Sequence, residues 1–151
     1  MQQQSLVTAL QKILVPIDGS KYSQLALEQA IMIAKAFNSD VLVMTAIDSY
    51  PESTTLKLED KLQQEAHSLI ESAKAEVVKA NLTCETILTV RGRPYEMIIQ
   101  EGRNRDANLI VMGTHGKGGL ERLLMGSVTE RVIGLSPCPV LVVPASYTTM
   151  Q

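Results

Sequence analysis

Five of the nine glycines of this chain fall between positions 113 and 126. The order is Gly113-Thr114-His115-Gly116-Lys117-Gly118-Gly119, then Leu120 to Met125, then Gly126-Ser127-Val128-Thr129. Glycine has no Cβ, so the backbone can approach an anion closely and aim several N–H groups at it. An apolar run, Ala107 to Met112, leads into the stretch, and a helical pattern, Ser127 to Leu135, leaves it. Open α/β sheets hold ligands at such a junction, beyond a strand's carboxyl end and against the unpaired N–H groups of a helix start. The chemistry that suits this pattern is phosphate binding. Two common phosphate motifs do not fit. A Walker A loop places Lys and then Ser or Thr after Gly118, where Gly119 and Leu120 stand. A dinucleotide fingerprint needs three glycines after the first strand, which offers only Gly19.

Other chemistry finds little support. Between 113 and 127 the one acid is Glu121, and no Ser-His-Asp arrangement is visible, so no residue is assigned a catalytic role. His67, His115, Cys84 and Cys138 lack metal-ligand spacing. Two cysteines are too few for a disulfide scaffold. His115 lies inside the loop, where it either contacts phosphate when protonated or stays exposed. Lys117 and Arg122 either neutralise phosphate charge or are solvated. Ser127-x-x-Glu130 also fits a capping box, a role that leaves other N–H groups available for an anion.

Strands and helices must alternate to place this loop. Lys12 to Asp18 is a short Ile- and Val-rich run closed by Asp18-Gly19-Ser20, and reads as a buried strand and a turn. Leu27, Ala30, Ile31, Ala34 and Phe37 then form one face of a helix capped by Ser20 or Asp18. Asp40 to Ala46 is the second strand. Leu58, Leu62, Ala66, Leu69, Ala73, Val77 and Ala80 mark a long amphipathic helix. Cys84 to Val90 is the third strand, and Pro94 opens the next helix, where its missing N–H costs nothing. Ala107 to Met112 is the fourth strand and Val140 to Val143 the fifth, between Pro139 and Pro144. Continuous apolar strands separated by helices predict one doubly wound parallel sheet covered on both faces.

At 151 residues the chain suits a single domain, with tails at 1–11 and 145–151 around a domain at 12–144. Fourteen basic residues against 16 acidic ones argue against a protein that tracks a nucleic-acid backbone. No apolar run reaches the ~18 residues of a membrane span, and the start lacks a signal peptide's positive charge. The expected compartment is the cytoplasm.

Gly113, Gly116, Gly126 and Ser127 follow the spacing Gly-x2-Gly-x9-Gly-Ser. With Ile13-Leu-Val-Pro-Ile-Asp-Gly-Ser20, Thr45-Ala-Ile-Asp48, Met112 to Gly116, Gly126 to Glu130 and Pro137 to Val143, the sequence resembles the universal stress protein family, in its ATP-binding branch. The resemblance covers about the whole chain. It implies a five-stranded sheet of order 3-2-1-4-5 with ATP, AMP or ADP bound where strands one and four lie side by side, ATP as its Mg²⁺ complex. It implies that Gly113, Gly116, Gly126 and Ser127 surround ribose and phosphates, with backbone N–H groups of Val128 and Thr129. Pro16 and Ile17 would wall the adenine, Asp18 would lie in the site, and the Ala46 backbone would read the adenine edge. Met112 flanks the loop and packs; it and His115 complete the expected site. The resemblance also implies a homodimer through Val140–Val143, an open edge strand. The function implied is a nucleotide-binding stress or signalling module. A slow ATPase or phosphotransferase, with Asp18 helping to hold Mg²⁺, and a dimerisation module with an unused site are the alternatives.

Overall fold

β1 (Lys12–Pro16) is buried along Ile13, Leu14 and Val15, each fully shielded from solvent. A strand with both faces covered must lie inside a sheet, and β1 does, between β2 and β4. The computed structural model describes residues 10–48, 50–117 and 124–146. The other elements are α1 (Lys21–Phe37), β2 (Asp40–Ile47), α2 (Leu56–Lys79) and β3 (Cys84–Val90), followed by α3 (Pro94–Asn104), β4 (Leu109–Gly113), α4 (Ser127–Leu135) and β5 (Val140–Val143). The five strands form one parallel sheet of order β3-β2-β1-β4-β5, as the sequence leads one to expect.

Side-chain alternation divides the core into two halves. Ile13, Val15, Val41, Val43 and Val111 point to one face, where Ala26, Leu27 and Ala30 of α1 and Ala73 and Val77 of α2 cover them. Leu14, Leu42, Met44, Ile110 and Met112 point to the other, against Met97 and Ile98 of α3 and Val132 of α4. Each fully buried aliphatic side chain contributes about 1.5–3 kcal/mol. With one Phe and no Trp in the chain, these aliphatic layers carry the stability.

Helix starts show where the sequence patterns hold and where they shift. The Ser20 side chain caps α1 by accepting the Ser23 N–H at 3.2 Å, and Thr55 caps α2 in the same way. Pro94 is the first residue of α3. The capping box expected at Ser127 is not formed. Gly126 is the N-cap of α4, Ser127 is its exposed first residue, and the Glu130 N–H bonds the Gly126 carbonyl. The cause is a backbone tie: the Gly126 N–H donates to Thr114 O at 2.7 Å, which fixes residue 126 in an extended conformation as the flanking position. β4 also begins two residues later than expected, because Asp106 takes φ +53° and Ala107 N–H closes onto Gly102 O. No helix among the described residues is long and apolar enough to cross a membrane.

Candidate functional site

The carboxyl ends of β1, β2 and β4 and the starts of α3 and α4 enclose a cleft of about 220 Å³. Its position follows from topology: β1 leads to a helix on one face of the sheet and β4 to a helix on the other, so their loops part above the strands. One end of the cleft is apolar, built by Pro16, Ile17, Ala46 and Met112 with Pro94 and Ile98 of α3. The other end is polar, built by Asp18, Gly113, His115, Gly116 and Lys117 with Val128 and Thr129 of α4. Ten of the twelve residues expected at the site therefore line one cavity.

The apolar end has a directional backbone edge. Ile17 N–H donates to Met44 O at 2.7 Å, which places the polar groups of Met44 on the β1 side of β2. Strand alternation aims the N–H and C=O of Ala46 to that same side, where β1 has ended at Pro16 and the cleft begins. The Thr45 hydroxyl meanwhile donates to Ile17 O at 3.1 Å and fixes the rim. The Ala46 methyl group has no polar part in this edge; the backbone at 46 supplies it.

The polar end is held by three long-range ties. Thr129 is buried, and its hydroxyl donates to Gly113 O at 2.9 Å, which anchors the first turn of α4 to the end of β4. The bond from Gly126 N–H to Thr114 O closes the base of the glycine loop. Asp18 supplies the third: Oδ1 accepts the Ser20 N–H at 2.9 Å, and Oδ2 accepts the Lys117 N–H at 2.6 Å. His115 Nδ1 lies 2.9 Å from Thr114 Oγ1, and its ring sits 5.1 Å from the Tyr22 ring, tilted by 46°.

Gly126 and Ser127 are absent from the cleft wall. Gly126 supports the wall from behind: a Cβ there would stand 3.2 Å from both His115 Cα and Thr114 O. Gly118, Gly119, Glu121 and Arg122 lie outside the described residues, as do most of the two tails. Four wall residues were not among the expected site residues: Ser23, Pro94, Ile98 and Lys117. Pro94 carried a readable signal, since a helix-opening proline directly after β3 must also lie at the sheet's carboxyl end. Ser23 had none, because its hydroxyl is drawn in by accepting the Asp18 N–H at 3.3 Å.

Among the described residues no group of three or more His, Cys, Asp and Glu side chains is placed to hold a metal ion. Both Asp18 oxygens are engaged by backbone N–H groups.

The profile of the Universal stress protein family matches residues 9–144. Universal stress protein MJ0531 of Methanocaldococcus jannaschii is 38% identical over 138 residues, covering 87% of this chain and 81% of that protein. The solved structure of MJ0577, from the same organism, superposes with a TM-score of 0.79 at 32% identity, covering 93% of this chain and 99% of that one. A universal stress protein solved in complex with cAMP superposes with a TM-score of 0.69 at 27% identity, covering 91% and 98% of the two chains. A matching family profile over nearly the whole chain, a relative 38% identical across 87% of it and a solved structure that superposes on 93% of it lead to one conclusion: this chain belongs to the universal stress protein family.

Proposed function

We propose that the cleft binds an adenine nucleotide, ATP or AMP, and that the protein acts as a stress-response or signalling module whose occupancy alters its surface. The observation that carries this reading is that apolar side chains and an N–H-rich glycine loop line one cavity. Pro16, Ile17 and Met112 offer the apolar contacts that a purine ring needs, with Pro94 and Ile98 facing them from α3. The Ala46 N–H and C=O form a donor–acceptor pair that matches N1 and the N6 amino group of adenine. Guanine presents the opposite pattern at those positions. The phosphates then fall toward Gly113 and Gly116 and toward the first-turn N–H groups of Val128 and Thr129 on the cleft wall, with that of Ser127 next to them at the helix start; none of the three has a partner within the helix. The cAMP-bound relative supports an adenine ligand.

The same reading includes a homodimer through β5 and a cytoplasmic setting. It assigns binding rather than turnover, because among the described residues the polar end presents one carboxylate, Asp18, already engaged by two N–H groups.

Ser127→Pro tests the phosphate end. Ser127 is exposed and is the first residue of α4, and Gly126 before it is extended at φ −72°, ψ 155°. Proline fits that position without strain while deleting one N–H. Calorimetry should show AMP and ATP·Mg²⁺ binding to the parent and about tenfold or weaker binding to the variant, with thermal stability unchanged. A parent that binds no adenine nucleotide removes the reading. Turnover near the ~10 s⁻¹ of ordinary enzymes would overturn the assignment of binding alone.

A further inference from the structure

The tie between Asp18 and Lys117 joins residues 99 positions apart and crosses the mouth of the polar end. Its acceptor is a full carboxylate charge, and its 2.6 Å length is that of a strong, charge-assisted bond. Asp18 is held still on its own side. Its N–H reaches Ser23 Oγ, its Oδ1 takes the Ser20 N–H, and Ser20 in turn caps α1. On the loop side the approach depends on glycine: a Cβ at Gly116 would stand 2.8 Å from Asp18 Oδ2. The base of the loop is closed separately by Gly126 and Thr114, so this carboxylate acts on the Gly116–Lys117 part alone.

A loop N–H aimed at a carboxylate is aimed at an anion. We propose that Asp18 is a built-in competitor for phosphate, which holds the Lys117 N–H in the free protein and yields it when a nucleotide phosphate enters. This rests on the adenine-nucleotide reading above and adds its regulation. Two consequences follow from charge. A metal-free phosphate entering the loop meets the Asp18 carboxylate as a like charge, so entry is opposed until that contact opens. A nucleotide that brings a divalent cation offers Asp18 a replacement partner and is opposed less. The exchange also changes the molecule, because it releases the Gly116–Lys117 backbone from the end of β1 and couples occupancy to loop position.

Asp18→Asn is the test, since the amide keeps an oxygen for the Ser20 N–H and removes the charge. Two measurements are made on the full chain: AMP affinity by calorimetry in EDTA, and the Lys117 amide by ¹H–¹⁵N correlation spectroscopy. The expected results are AMP binding about tenfold tighter in D18N and a Lys117 amide signal far downfield in the free parent. That signal should move upfield in D18N, and in the parent it should shift to a new position on AMP saturation, as phosphate replaces the carboxylate. Equal or weaker AMP binding by D18N, with the parent still binding, overturns the competition and leaves the nucleotide reading intact. A Lys117 amide unmoved by D18N overturns the contact itself. A parent that binds no AMP, with a Lys117 amide that responds to D18N, removes the nucleotide reading, and the competition falls with it.

Discussion

Gly113, at the end of β4, lies so close to Tyr22 of α1 that a Cβ added at position 113 would stand 2.6 Å from Tyr22 Cβ and 2.7 Å from its carbonyl carbon and oxygen. Real Cβ atoms do not approach backbone at that distance, so any side chain at 113 forces α1 away from the sheet. The first glycine of the loop thus sets the seating of α1, in addition to any part in phosphate binding. Gly113→Ala should destabilise the fold by about 1–3 kcal/mol, the usual cost of overpacking. Urea denaturation checks this. A midpoint equal to the parent's would show that α1 is free to shift and that the close contact carries no energy.

How much of this was legible beforehand differs between elements. The βα alternation alone gives a doubly wound parallel sheet and the apolar pattern places its five strands, whereas their order, 3-2-1-4-5, is implied only by the family resemblance. Strand and helix periods are local, so one sequence suffices to read them. The site was legible as a set of residues and less so as a division of labour. Nothing near Gly113 in sequence announces its packing against Tyr22, and nothing near Asp18 announces Lys117, because both contacts join distant segments. The Ser127 capping box matched a local motif and still gave way, since the bond from Gly126 N–H to Thr114 O fixed the cap one residue earlier.

The two cysteines are predicted to be inert in the native protein. Burial pushes the Cys84 thiol up to about 11, against the smaller opposing pull of Lys74, and burial raises Cys138 as well. At pH 8 the Cys84 thiolate fraction is then about 100-fold below that of an exposed cysteine. The same shift fixes a pH dependence. A thiol that holds its proton more tightly folded than unfolded stabilises the fold less as pH climbs from about 9 to about 11. Mass spectrometry after iodoacetamide treatment at pH 8 should show slow labelling that accelerates in denaturant. Native labelling as fast as in denaturant would contradict the burial assigned to both side chains.

The proposed homodimer depends on which backbone groups of β5 are open. Ile110 N–H donates to Pro139 O at 3.0 Å, so the polar groups of residues 139, 141 and 143 face β4, and those of Val140 and Val142 face the open edge. Pro139 and Pro144 lie outside the strand and remove no donor from within it. Pairing with a second copy about a two-fold axis would satisfy the outward groups and cover the half-buried valines in a self-complementary contact. Val142→Pro is therefore selective: it deletes an outward N–H and leaves every β4–β5 bond in place. Light scattering at micromolar concentration should give the parent a mass twice the 16.5 kDa of the chain, and the proline variant a mass near 16.5 kDa with its circular dichroism preserved. A monomeric parent would remove the dimer. A variant that remains dimeric would move the interface away from this edge, because pairing along β5 has to use the outward Val142 N–H.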